Sequence, residues 1–321
     1  MFDRRQFLRA ASLTALVSIA PHARAQTTPE VRALAYLAQE VPAWSAENRC
    51  FSCHNNGDAA RALYAAHRLG WRVPRQALSD TTDWLAQPSQ WESNRGDPQF
   101  SDKKLARLQF AAALAEALEA GWLNDRAALG QAASLLVKDQ QPDGSWQVDA
   151  EASIGSPVTY GAALATATAR RVLAGLPDAQ LQKAAARADA WLLAAPLLSV
   201  LDAAAILTAL GPDRSEKRRE CLAFIRSAQS SDGGWGPRAH APPEPFDTAM
   251  VLLALANLRG APETASLIDR GRAWLVGSQL PSGGWPGTTR PPGGQSYAQH
   301  ISTTGWATLA LLRTAGRPPA R

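Results

Sequence analysis

Sulfur and imidazole are scarce in this chain: its 321 residues include 3 cysteines, 2 methionines and 5 histidines. Against that background a Cys-x-x-Cys-His run is not a by-product of abundance. β-branched residues are sparse beside alanine and leucine, which argues for helices over sheets. No lysine- or arginine-rich run occurs, so a nucleic-acid partner is not expected. Past the N-terminal segment, no stretch is long and apolar enough to cross a bilayer. Gly-x-Ser-x-Gly, a phosphate-cradling glycine loop and a dinucleotide fingerprint are all missing. The chain therefore lacks the common signatures of serine hydrolases, nucleotide-binding enzymes and membrane spans.

The N-terminus carries Arg4-Arg5-Gln6-Phe7-Leu8, an apolar run from Ala10 to Ala20, and Ala23-Arg24-Ala25 before Gln26. A basic region, a short apolar region and a small-residue cleavage site form a secretory signal, and the paired arginines resemble a bacterial twin-arginine signal. Residues 1–25 are expected to be removed and the protein delivered to the periplasm. The signal holds +3 of the formal +5, which leaves the mature chain near +2. Residues 26–321 read as one domain.

Cys50-Phe51-Ser52-Cys53-His54 has the spacing of a c-type haem attachment site. Two thiols add to the porphyrin vinyls and the adjacent imidazole ligates the iron. The expectation is one covalent haem c on Cys50 and Cys53, with His54 as its ligand and electron transfer as its function. The rival readings are a zinc clip or a disulfide in a non-catalytic binding protein. Cys221, on an apolar helical pattern, is expected to be a small core residue.

The mature chain alternates two helical patterns. Charged amphipathic stretches fall near 29–43, 74–87, 125–139, 178–194, 215–229 and 263–279. Smoother alanine-rich stretches fall near 57–70, 103–121, 157–174, 198–210, 246–259 and 301–315, and are expected to be buried on more than one side. Helix pairs of this length must stack on one another to bury their apolar faces. Three connections repeat a pattern of Gln-x-x-x-Gly-x-Trp: Gln140–Trp146, Gln229–Trp235 and Gln279–Trp285. The Gln amide suits free helix-end groups, the Gly a tight turn, and the Trp the cover of a junction.

These Gln-Trp repeats, with inner-helix starts such as Phe246-Asp247-Thr248-Ala249 and Ser302-Thr303-Thr304-Gly305-Trp306-Ala307, resemble the squalene–hopene cyclase and protein prenyltransferase superfamily. The resemblance implies an all-α fold, an α6/α6 toroid of six inner helices ringed by six outer ones. Its chemistry transfers poorly. Where squalene cyclases carry the proton-donating Asp of Asp-x-Asp-Asp-Thr-Ala, this chain has Phe246, and Asp247 matches only the supporting carboxylate, with helix capping as its ordinary role. Of the prenyltransferase zinc ligands only Asp247 persists; the position of the last one falls near Thr303, with His300 three residues earlier.

On such a ring the Cys-x-x-Cys-His run occupies the first outer-to-inner loop, on the rim at the N-terminal ends of the inner helices. Ring closure brings the sixth inner helix beside the first, so His300 ranks first as a second axial ligand, followed by Met250 and His240; Tyr297 is a further candidate. His67 is expected on the opposite side, in a structural or solvent-exposed role. The central cavity is expected to suit an apolar or isoprenoid small molecule, with an unidentified periplasmic redox partner. Loop carboxylates Asp97, Asp143, Glu151, Asp232 and Glu244 could converge as a sugar-cleaving pair, but solvated turn residues are the simpler reading. Trp91, Trp146, Trp235 and Trp285 are expected to be repeat packing.

Overall fold

A computed structural model describes residues 28–96, 102–148, 154–210, 215–290 and 295–315. The expected export signal, Asp97 and Glu151 lie outside the described residues. Within them, twelve α-helices and no strand are present. The outer set is α1 (Pro29–Asn48), α3 (Ser79–Leu85), α5 (Ala127–Asp139), α7 (Ala179–Ala194), α9 (Ser215–Ala228) and α11 (Pro262–Gly277). The inner set is α2 (Ala60–Arg68), α4 (Lys103–Glu119), α6 (Gly161–Ala174), α8 (Val200–Ala209), α10 (Pro245–Ala256) and α12 (Tyr297–Thr314).

Burial separates the sets as the composition does. On α5 only Leu129, Ala132, Ala133 and Leu136 are buried, a single stripe at helical spacing. On α10 every residue from Pro245 to Leu255 except Leu253 is buried, because the helix is apolar on all sides apart from its first turn, where Arg290 pairs with the single charged residue, Asp247. Each inner helix packs on the next, and α12 packs on α2 and α1, so the ring closes: an α6/α6 toroid.

The Gln-Trp repeats are the rivets of this ring. Gln140 donates to the carbonyls of Gly144 and Ala184, Gln229 to those of Gly233 and Leu267, and Gln279 to those of Gly283 and Pro29. Each amide closes its own turn and ties it to the next outer helix, and the last copy ties the final outer helix to the first. Trp146, Trp235 and Trp285 are buried, and each indole N–H donates to the carbonyl ten residues earlier at 2.8 Å. Their backbone N–H groups donate to Thr166, Thr248 and Thr304 on the following inner helices. At Gly144, Gly233 and Gly283, φ is +97°, +104° and +97°, and a Cβ would stand 2.5–2.7 Å from a carbonyl of the neighbouring outer helix. The repeat thus specifies glycine for both reasons at once.

The first inner helix starts earlier than its alanine-rich pattern. A π-helical stretch, Cys53–Ala59, leads into α2, so Cys53 and His54 belong to the helix and only Cys50 to Ser52 form the loop. Ser52 caps it: its hydroxyl accepts from the His54 and Asn55 N–H groups, and Asn56 Oδ1 accepts from the Ser52 N–H. Widened turns of this kind recur at functional sites.

Candidate functional site

The expected haem residues are packed inward. Cys50 and Cys53 are buried and not joined in a disulfide, and Cys53 belongs to the hydrophobic core, where burial raises its thiol well above the usual range. His54 is half-buried, its Nδ1 lies 2.9 Å from Ser302 Oγ, and burial pushes its imidazole down to about 4. None of the three lines the central cavity. As placed, these groups do not fit a haem: the loop would have to open for a porphyrin edge to reach both sulfurs.

The ranked second ligands are dispersed. His300 lies on α12 two residues before Ser302, but its Nε2 meets the Tyr36 hydroxyl on α1 at 2.9 Å. Met250 is buried and lines the central cavity. His240 is exposed in a loop at φ +64°. Tyr297 donates to Glu40, accepts from Asn55 and stacks on Trp44. His67 is exposed and packs edge-on to Trp122.

Four residues after His54, the structure places a carboxylate that the sequence reading passed over. Asp58 is 1% exposed. Its Oδ1 accepts from the Tyr160 hydroxyl at 2.5 Å, and its Oδ2 accepts from Gln109 Nε2 at 2.7 Å and Trp306 Nε1 at 3.2 Å. Burial pushes its carboxyl up to about 6, opposed by the Tyr160 hydroxyl, the charge of Arg61, the Ser302 hydroxyl and the Gln109 amide. Close approach on both sides holds the segment in place. A Cβ at Gly57 would be 2.9 Å from Gln109 Cβ, and one at Gly305 would be 2.7 Å from the Asp58 carbonyl oxygen. Tyr160 sits at φ +58°, strained for a side chain of its size, with its hydroxyl aimed at Asp58. Polar residues on otherwise alanine-rich inner helices (Asp58, Arg61, Gln109, Glu116) were the sequence signal for this site.

Immediately beyond Asp58 lies the central cavity, about 340 Å³. Trp306 and Arg61 line it at the Asp58 end, and the Arg61 guanidinium lies 4.7 Å above the Trp306 ring. Leu164, Ala205, Met250 and Leu309 form apolar wall. Toward the C-terminal ends of the inner helices the lining becomes charged, with Arg68, Arg171, Arg313, Glu116 and Glu119. Trp306 is edge-on to Tyr160 at 5.9 Å and to Phe246 at 6.3 Å.

At the N-terminal start of α10, Asp247 is not the helix cap. Its Oδ1 accepts from Arg290 at 2.7 Å, and the same guanidinium donates to Glu244 at 2.6 Å and to the Gly155 carbonyl. Burial pushes the Asp247 carboxyl up to about 6 against the pull of Arg290. Phe246 is fully buried. Asp143 and Asp232 are turn residues: Asp143 holds Ser145, while Asp232 holds Ser230 and the Trp274 indole N–H. With Glu244 committed to Arg290 and Thr289, the described loop carboxylates form no sugar-cleaving pair.

Comparison with known proteins agrees with the fold. Residues 198–319 match the family described as Squalene-hopene cyclase C-terminal domain. The type II terpene cyclase MstE from Scytonema superposes with a TM-score of 0.55 at 16% identity, over 88% of this chain and 96% of that one. The fold is that of the terpenoid cyclases. A variant of the same cyclase, bound to geranylgeranyl dihydroxybenzoate, covers 89% of this chain and 98% of its own, also at TM-score 0.55. A glycosidase shares the fold at TM-score 0.52 and 14% identity, over 88% of this chain and 97% of its own. Drimenyl diphosphate synthase from Streptomyces showdoensis is 35% identical over 82 residues, 25% of this chain and 15% of that protein's length.

These findings overturn the electron-transfer reading. The chain has the terpenoid cyclase fold over most of its length, and the buried polar centre beside its cavity is Asp58. The zinc-clip alternative falls as well: among the described residues no three His, Cys, Asp or Glu side chains gather as metal ligands.

Proposed function

We propose that this chain takes a short isoprenoid into its central cavity and that Asp58 is the acid of a proton-initiated cyclisation. The observation that carries the reading is Asp58 itself. It is a buried carboxyl whose affinity for a proton is raised to about 6, one side chain behind the cavity wall, in a ring with the terpenoid cyclase fold. Protonation of a terminal alkene carbon leaves a tertiary cation. Attack by the next alkene closes a ring, and loss of a proton returns a neutral product isomeric with the substrate. Trp306 supplies an aromatic face of the kind that stabilises a cation. Arg61 covers that face in the structure, so a guest competes with it. Tyr160, Gln109 and Trp306 hold the carboxylate that remains after proton transfer. Phe246 at the expected donor position is replaced in this role by a carboxyl from the first inner helix.

The test is incubation of the mature protein with farnesyl diphosphate, geranylgeranyl diphosphate and squalene, followed by mass-spectrometric product analysis. A cyclic isomer of one of them is expected, with the rate lowered at least ~100-fold in Asp58→Asn. Isoprenoid retention without conversion removes the acid role, and neither retention nor conversion removes the reading. Two proposals stand beside this one: export to the periplasm by the signal in residues 1–25, and attachment of one haem c at Cys50 and Cys53, which requires the loop to open from the packing described above. No step of the chemistry passes through the haem. A Soret band in protein exported alongside haem-attachment factors supports it, and two unmodified thiols by mass spectrometry remove it.

A further inference from the structure

The Cys-x-x-Cys-His run is held shut by the short segment that follows α3. Phe51, between the two cysteines, is 1% exposed. Trp84 of α3 stacks on its ring at 4.5 Å and 11°, and the Arg95 guanidinium lies over the same ring at 4.3 Å. Both contacts are too close to share one face, so Phe51 is held between an indole and a guanidinium. The Phe51 N–H donates to Asn94 Oδ1 at 2.9 Å, and Asn94 is itself buried. Cys50 and Cys53, on either side of this clasp, are 9% and 7% exposed.

The two halves of the clasp are unequally anchored. On the helix side, Asn55 Nδ2 donates to the Glu40 carbonyl, and Asn56 Nδ2 to the Val41 carbonyl and the Thr81 hydroxyl. Trp84 and Trp91 are buried against Phe110. Past Trp91 the covering segment carries exposed side chains, Glu92, Ser93 and Arg95, with Asn94 turned inward among them. Asn94 and Arg95 stand at φ +38° and +58°, and Arg49, which ends α1 just before Cys50, stands at +58°. Three of the five non-glycine residues at positive φ among the described residues therefore frame this one loop. Backbone of that kind persists only while surrounding contacts hold it. Here the contacts are an exposed cation on an aromatic ring and a single side-chain amide. Segments with few buried contacts open locally, well short of global unfolding.

We infer that Asn94 and Arg95 form a latch over the 50–52 loop, and that its release exposes Cys50 and Cys53 together while the ring stays folded. With the latch withdrawn, the Phe51 N–H loses its acceptor and one face of the ring is bare. The left-handed residues relax in the open form, whereas Asn55 and Asn56 keep Cys53 at the head of its helix. The two sulfurs are closed to any reagent in the latched form and reachable as a pair in the open one. The latch requires neither an isoprenoid in the cavity nor a haem on the sulfurs.

The test is maleimide labelling of the folded full chain, made without haem-attachment factors and reduced beforehand, with alkylation at each cysteine followed by peptide mass spectrometry. Cys221, fully buried on α9, is the third cysteine and reports global opening. In wild type, Cys50 and Cys53 are expected to react in parallel and faster than Cys221. Arg95→Ala and Asn94→Ala should each raise both rates at least about tenfold and leave the Cys221 rate unchanged. Asn94→Asp keeps the acceptor for the Phe51 N–H and Arg95→Lys keeps the cation, so both are expected between wild type and the alanine variants. If Asn94→Ala does not fold by circular dichroism, Arg95→Ala, at an exposed position, carries the comparison. Unchanged rates in the folded alanine variants overturn the inference, as does faster labelling of one cysteine of the pair alone. An equal rise at Cys221 overturns it too, because the opening would then be that of the whole ring.

Discussion

Asp58 carries the residue-scale argument, and its titration gives a signed prediction. Its proton is held in the folded state up to about pH 6 and released near the ordinary carboxyl value of 3.8 when the chain unfolds. The native state therefore binds more protons in that window, and the contribution to stability, full below about pH 4, is lost as pH rises through 6. Two pH units correspond to about 3 kcal/mol. Thermal melts of wild type and Asp58→Asn between pH 4 and 7 should show a difference that shrinks steadily toward neutrality by that order. A constant offset between the two proteins would mean Asp58 is ionised throughout. The acid role predicts the same direction for catalysis, with turnover falling above pH 6 as the proton is lost. Cys50, Cys53 and His54 show the opposite lesson. Their spacing was legible, but spacing does not report that Ser302 would take the imidazole and the core would take the sulfur.

At the scale of the element, the Gln-Trp turn combines one glycine geometry, one amide clamp and one indole plug. Trp235→Ala, by emptying a fully buried site, should cost about 3–5 kcal/mol in chemical denaturation. Gly283→Ala puts a Cβ at φ +97° and 2.5 Å from the Arg32 carbonyl oxygen, so at least about 1–3 kcal/mol of backbone strain is expected, with the first outer helix pushed away. An unchanged denaturation midpoint in that variant would contradict the packing described. Helix α12 has a different requirement. Gly305→Ala drives a methyl into the backbone of Asp58, and is expected to reduce cyclisation more than it reduces the melting temperature.

For the whole molecule, the closing seam is the vulnerable place. Gln279 donates to the Pro29 carbonyl, and Arg272 pairs with Glu30 at 2.8 Å. These contacts join residues 250 and 242 positions apart, so their loop-closure entropy is met only when the rest of the ring is formed. Gln279→Ala should speed amide exchange in α1 and α11, leave α5 and α7 protected, and lower stability by about 1–3 kcal/mol. Exchange that rises uniformly round the ring would mean that the seam is no weaker than any other junction.

The sequence by itself determined the architecture. Twelve alternating patterns and three Gln-Trp turns fix which helices face inward, because burial and turn geometry are local requirements repeated along the chain. Even the end points agree closely, as in α5, expected at 125–139 and found at Ala127–Asp139. The chemistry was decided only by tertiary structure. Asp58, Gln109, Tyr160 and Trp306 come from four separate inner helices or their starts, and nothing in their spacing announces that they converge. Convergence is a property of ring closure, which brings the last inner helix against the first. The same closure sets the Cys-x-x-Cys-His run against the last inner helix, through the contact of His54 with Ser302.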